Sequence, residues 1–181
     1  MYKLILILVL IGSYGNSAST SSSFANQILI ENVSFVKLGT YRGFAPDGSE
    51  YQKSYFYPKY SLTAPFLESR AICKSYDFEL ATLETHAEAQ AIIKLAQNLG
   101  SEYFYVDAIA LTLKSPTDWY WTKSGKKLSF ALPWGAGEPN NYNNLNETCL
   151  ALSSIGFVDL RCTLSRLFVC QKIEFMIPNV L

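Results

Sequence analysis

The residues best placed to do chemistry lie in one polar stretch of the chain. Glu138, Pro139 and Asn140 stand together, Glu147 comes two residues before Cys149, and Asp159 three residues before Cys162. Three carboxylates and one carboxamide are oxygen donors, the set that calcium prefers; that ion takes roughly six to eight oxygen ligands on a stiff frame. Were Cys149 and Cys162 joined, the four side chains would be gathered at one place. Pro139 between two of the donors and a disulfide beneath the others would then supply the stiffness. Other chemistries find less support. The only histidine is His86; no Gly-x-Ser-x-Gly elbow accompanies it, and nothing marks a triad partner. Its place in the first turn of a helix predicts a solvent-exposed role. Glu138 and Glu147 can be drawn as a glycosidase pair, but metal ligation explains their placement better. The sequence predicts a binding protein, not an enzyme.

The four cysteines, Cys73, Cys149, Cys162 and Cys170, take their meaning from the first residues of the chain. Lys3 gives a positive start, Leu4 to Ile11 is an unbroken apolar run, and small or polar residues follow to Ser19. This pattern predicts an export signal over 1–19, cut after Gly15, Ser17 or Ser19. Eight apolar residues are too few to cross a hydrocarbon layer of roughly 30 Å, which needs about 20. No second run of that length follows, so a secreted, extracellular protein with no membrane span is expected. In an oxidising compartment an even cysteine count favours disulfides, and no C-x-x-C pair suggests zinc. The sequence alone leaves all three pairings open. Fifteen basic and fifteen acidic side chains cancel. That balance argues against a nucleic-acid or anionic-lipid partner, whose capture needs a cationic face.

The elements that must position the polar stretch are legible from pattern. Ser17 to Ser23 lacks periodicity and reads as part of a flexible segment over 20–34. A turn at Pro46-Asp47-Gly48 precedes a strand at Ser54 to Tyr57. A first helix is predicted from an N-cap at Thr63, with Pro65 in its opening turn, to about Ser75; Phe66, Arg70 and Cys73 share its core side. A second helix opens on a capping box at Thr85-His86-Ala87-Glu88. Its apolar stripe is Ala89, Ile92, Ile93 and Ala96, it stops at Gly100, and it reads as scaffold with nothing chemical on it. Strands are then predicted at Tyr103 to Leu113, Trp119 to Trp121, Cys149 to Ser153, Gly156 to Asp159 and Leu167 to Lys172. A long loop runs from Pro133 to Asn146, its asparagine run read mostly as filler. Trp119, Trp121 and Trp134 read as core or sheet residues. Helices first and strands later predict an α+β domain.

Trp134, Gly137-Glu138-Pro139-Asn140, Glu147-x-Cys149, Asp159-x-x-Cys162 and Phe168-Val169-Cys170 together resemble the carbohydrate-recognition domain of C-type lectins. Phe66 seven residues before Cys73, and Leu80-Ala81-Thr82-Leu83 after it, resemble the first half of that family. The resemblance covers roughly 35–174 and leaves 175–181 as a tail. It implies the C-type lectin-like fold, two helices and short antiparallel strands with a long loop region. It also implies the pairs Cys73–Cys170 and Cys149–Cys162, a cis peptide before Pro139, and one calcium ion held by Glu138, Asn140, Glu147 and Asp159. In the family, two vicinal sugar hydroxyls bind that ion directly. Glu138 and Glu147 would accept the hydroxyl hydrogens, and Asn140 would donate one bond from its amide. The Glu-Pro-Asn triplet implies mannose, fucose or N-acetylglucosamine, with galactose as an alternative and glycans or glycoproteins as partners, possibly in extracellular or immune recognition.

Two features depart from the family pattern. Phe157-Val158-Asp159 stands where the family usually has Trp-Asn-Asp, and Val158 can neither ligate calcium nor bond a sugar. Calcium should therefore bind more weakly, and sugar more weakly still. Leu113, Thr117, Asn141 and Thr148 occupy the positions of an auxiliary calcium site, which is expected to be absent. Sequons at Asn32 and Asn146 predict N-glycosylation, the second overlapping the proposed ligand Glu147. A calcium-independent lectin-like module that binds a protein partner is the competing reading.

Overall fold

A computed structural model describes residues 33–45, 47–59, 62–100, 102–112 and 118–176. The expected export signal, the sequon at Asn32, Leu113 and Thr117 lie outside the described residues. Two antiparallel sheets and two helices build the domain, as the resemblance implied. The first sheet has the order β1 (Phe35–Phe44), β2 (Glu50–Pro58), β9 (Cys170–Phe175), β3 (Glu79–Leu80). The second has the order β5 (Trp119–Trp121), β4 (Phe104–Ala110), β6 (Cys149–Ser153), β7 (Gly156–Leu160), with the short β8 (Leu167–Phe168) running parallel to β4. Strand β4 stops at Ala110, short of the expected Leu113, and Leu111 beyond it is exposed.

Strand β1 is an addition to the sequence reading. It pairs with β2 from Phe35↔Pro58 to Phe44↔Glu50, around a turn closed by Ala45 N–H to Ser49 O at 2.8 Å. Two glycines blur its alternation, and one of them lies directly under a side chain of the second helix. A Cβ on Gly39 would lie 2.4 Å from Leu95 Cδ1, so helix α2 (His86–Gln97) packs closely over the strand there and a larger residue would make the Leu95 side chain turn aside.

Helix α1 (Phe66–Ser75) starts later than the sequence predicts. Thr63 does not cap it; Pro65 holds the N-cap position in an extended conformation. The reason is tertiary, because Ala64 is tied to Arg166 by two main-chain bonds of 3.0 and 3.1 Å, which keep this stretch in a β-bridge. The helix buries Phe66, Ser69, Ile72 and Cys73, whereas Arg70 is half-exposed and reaches Asp107 at 2.9 Å.

Helix α2 follows its pattern. Thr85 Oγ1 accepts from Glu88 N–H at 3.1 Å, and Ala89, Ile92, Ile93 and Ala96 are buried against Tyr55, Leu83, Phe104 and Leu152. The second half of the capping box is displaced by one residue, since the Glu88 carboxylate accepts from Glu84 N–H. The helix also carries more than scaffold. Glu88 is wholly buried, takes the Tyr55 hydroxyl, and pairs with Lys53 Nζ at 3.0 Å. Lys53 is 2% exposed and donates also to Thr82 O at 3.1 Å, so this interior ion pair is hydrogen-bonded to its surroundings.

The disulfides are Cys73–Cys170, spanning 97 residues, and Cys149–Cys162, spanning 13. On the chain-entropy model they stabilise the fold by about 5 and about 3 kcal/mol respectively. The first fixes α1 to β9. The second staples β6 to the residues just past β7, beneath the polar loop.

Candidate functional site

The loop is laid down by β7. Trp134 forms a parallel bridge with Phe157, Gly135 N–H donates to Phe157 O at 2.8 Å, and Phe157 N–H donates to Pro133 O at 2.9 Å. This approach requires Gly156, whose φ is +131° and whose Cβ would meet Gly135 N at 2.6 Å. Glu138 N–H then returns to Gly135 O at 3.0 Å, and the peptide between Glu138 and Pro139 is cis, as the resemblance implied.

Three of the four expected residues are linked to one another directly or through loop backbone, and the fourth joins them through Tyr142. Asn140 Nδ2 donates to Glu138 Oε1 at 2.8 Å. Asp159, buried on β7, accepts Asn140 N–H on Oδ1 at 2.9 Å and Asn141 N–H on Oδ2 at 2.8 Å. Glu147, also buried, accepts Tyr142 N–H on Oε2 at 2.7 Å. The side chains thus surround one short segment, 140–142, whose amides point at the two buried carboxylates. The carboxylates do not converge as a finished cage: among the described residues no three His, Cys, Asp or Glu side chains are grouped to hold a metal. Val158 is 3% exposed and brings no donor.

The asparagine run is more than filler. Asn141, Asn143, Asn144 and Asn146 all have positive φ, between 42° and 60°. Asparagine is among the few residues that take this conformation readily. Asn141 also accepts Glu147 N–H on Oδ1 at 3.0 Å. Asn141 and Tyr142 are therefore positioning residues that the sequence reading passed over; the density of asparagines was the available signal. Asn146 and Tyr142 are exposed at the rim. His86 is exposed as expected, with Nδ1 3.1 Å from Ala131 O.

Electrostatically the site is short of positive charge. Burial, with the Asp159 and Glu147 carboxylates nearby, pushes Glu138 up to about 7. Burial also raises Glu147, opposed by its bond from Tyr142 N–H. Glu138 Oε2 is buried and has no hydrogen-bond partner. An oxygen-only donor set with one desolvated, unpartnered carboxylate oxygen fits a hard cation in chemistry. Asp159 and Glu147 need not surrender their amides to ligate, because a carboxylate oxygen carries two lone pairs.

Fold and loop together define a C-type lectin domain. The family model described as the lectin C-type domain matches residues 63–172, more than half of the 181, and the chain belongs to that family. The CD209 antigen-like protein A of Mus musculus is 26% identical over 113 residues, 62% of this chain and 45% of that protein. The CD209 antigen of Homo sapiens is 27% identical over 106 residues, 58% of this chain and 25% of that protein. The chain thus spans less than half the length of these relatives. The mouse scavenger receptor C-type lectin carbohydrate-recognition domain superposes with a TM-score of 0.54 at 23% identity, covering 66% of this chain and 89% of that one. The C-type lectin domain of murine dendritic cell inhibitory receptor 2, solved in complex with an N-glycan, gives 0.54 at 23%, covering 67% and 91%. Among the described residues no helix is long and apolar enough to cross a membrane.

Proposed function

We propose that the chain is an extracellular, calcium-dependent glycan-binding domain, with Glu138, Asn140, Glu147 and Asp159 holding one calcium ion. When bound, the ion would offer open coordination positions to two vicinal sugar hydroxyls. Glu138 and Glu147 would accept the hydroxyl hydrogens, and Asn140 would donate from Nδ2 once released from Glu138 Oε1. The observation that carries this reading is Glu138 itself, a half-buried carboxylate with one enclosed, unpartnered oxygen and its pKa raised to about 7 beside Asp159. Family membership, and a structural neighbour solved with an N-glycan, support it. Glu-Pro-Asn favours mannose, fucose or N-acetylglucosamine over galactose. Export and glycosylation at Asn32 and Asn146 belong to the same reading.

Calcium titrated calorimetrically into chelator-stripped protein tests it, with Glu138→Ala as control. Saturable heat that disappears in the variant supports the site, and no heat in either protein sinks it. A second reading, a protein-binding module that needs no metal, has one observation in its favour. The amides of 140–142 donate to Asp159 and Glu147, so hydrogen bonds between protein groups tie the loop to its base. Retention on a mannose resin that chelator abolishes selects the first reading; retention that survives chelator contradicts it.

A further inference from the structure

The loop asparagines are not used alike. Asn140 gives its side-chain amide to Glu138, and Asn141 takes Glu147 N–H on its side-chain oxygen. Asn146 is exposed, and no side-chain hydrogen bond ties it to another described residue. It opens Asn146-Glu147-Thr148, a sequon for N-linked sugar, and its neighbour Glu147 is a proposed calcium ligand. Consecutive Cα atoms lie about 3.8 Å apart, so a group carried on Asn146 starts one residue from the metal site. The segment is fixed in that place. Glu147 is clasped to Asn141 through its N–H at 3.0 Å and to Tyr142 through its carboxylate at 2.7 Å, and Asn146 keeps a left-handed φ of 60°.

Attachment joins C1 of a preassembled oligosaccharide to Asn146 Nδ2. The bond from C1 to its lipid diphosphate carrier breaks, the diphosphate leaves, and the amide nitrogen gives up one proton. The transferase needs the Thr148 hydroxyl, which in the folded domain is half-buried at 3.4 Å from Cys162 Sγ. Transfer therefore precedes closure of Cys149 and Cys162. The oligosaccharide is built of N-acetylglucosamine and mannose, the sugars that Glu-Pro-Asn favours. A short flexible tether presents its own ligand at an effective concentration on the order of millimolar. A single site for one monosaccharide binds weakly, so such an internal competitor counts.

We infer that the domain is held in check by its own glycan: a mannose-rich oligosaccharide on Asn146 folds back onto the Glu138–Asn140 loop and must be displaced by an outside sugar. The inference rests on the sugar-site reading above. Occupation divides the apparent affinity by one plus the ratio of effective concentration to dissociation constant, so a site of millimolar affinity should lose about two- to tenfold. Remodelling of that one glycan then sets how tightly the domain holds outside sugars.

The test uses the full chain secreted from eukaryotic cells in which mannose trimming is blocked. Mass spectrometry gives the occupancy of Asn146, and calorimetry in calcium gives the affinity for methyl mannopyranoside. Thr148→Val removes the sequon while keeping Asn146 and its left-handed turn, and should bind about two- to tenfold more tightly than the glycosylated chain. Endoglycosidase trimming of the unaltered chain to a single N-acetylglucosamine should reproduce that gain. Ser34→Ala, which removes the Asn32 sequon instead, should change nothing. An unoccupied Asn146, or equal affinities for the glycosylated chain and Thr148→Val, overturns the inference. Equal weakening by a sialylated glycan, which keeps the bulk but offers no terminal mannose, overturns it too, since bulk alone would then suffice. No binding by either the trimmed chain or Thr148→Val is the failure of the sugar-site reading itself.

Discussion

Glu138 sets the pH behaviour of the loop. Its pKa is raised from 4.5 to about 7 in the metal-free fold, so the native state holds a proton that the unfolded chain has already released. Metal-free stability should therefore fall as pH rises from about 4.5 to about 7 through this group. Calcium needs the ionised form and should expel that proton. Calcium affinity should then weaken as pH drops below 7, and binding heats at pH 6 should vary with buffer ionisation enthalpy. Buffer-independent heats would mean that Glu138 is not the titrating ligand. Val158 makes the complementary prediction. Val158→Asn buries a carboxamide without an apolar match, costing about 1–3 kcal/mol in chelator. With calcium the new oxygen should recover that loss and tighten the ion about tenfold, a change that thermal melts with and without calcium would reveal. The oxygen-donor types were readable because glutamate, asparagine and aspartate stand at short offsets from two cysteines. The clasping amides of Asn140, Asn141 and Tyr142 were not, because main-chain donors carry no sequence signal beyond the asparagines that permit their left-handed turns.

At the level of elements, the second helix was read almost entirely from its cap and apolar stripe. What escaped was Glu88, whose burial depends on Lys53 arriving from β2, a partner far away in sequence. Lys53→Met should leave Glu88 buried without its counterion and cost about 3–5 kcal/mol, while Lys53→Met combined with Glu88→Leu should recover most of it. Chemical denaturation of the single and double variants measures this. If the single variant is neutral, the pair is not holding α2 to the sheet. Strand β1 escaped for a similar reason, since Gly39 and Gly43 blur its alternation and Leu95 of α2 comes to lie across it only in the fold. The late start of α1 is of the same kind: Thr63 is a good local cap, but the bridge from Ala64 to Arg166 overrides it. On β7, Gly156→Ala should cost about 1–3 kcal/mol through backbone strain. The clash with Gly135 N should also shift the Glu138 loop. Its calcium affinity should fall with it, as titration of the folded variant would show.

For the whole molecule, the two disulfides separate stability from site order. Removing Cys73–Cys170 by paired alanines should cost about 5 kcal/mol and threaten folding, whereas removing Cys149–Cys162 should cost about 3 kcal/mol. The smaller loss should fall mainly on the loop, with calcium affinity dropping more than melting temperature; equal effects of both pairs would contradict that division. The sheet topology has a mechanical consequence as well. Strands β1 and β9 flank β2 and run parallel to each other, with Phe35 opposite Pro58 at one end and Phe175 opposite Tyr51 at the other. Force applied through residues 35 and 175 therefore pulls the two strands in opposite directions along their lengths. The hydrogen bonds on either side of β2 are loaded together in shear instead of being peeled one at a time. A ligand gripped by this domain under tension should leave its site before the domain itself gives way.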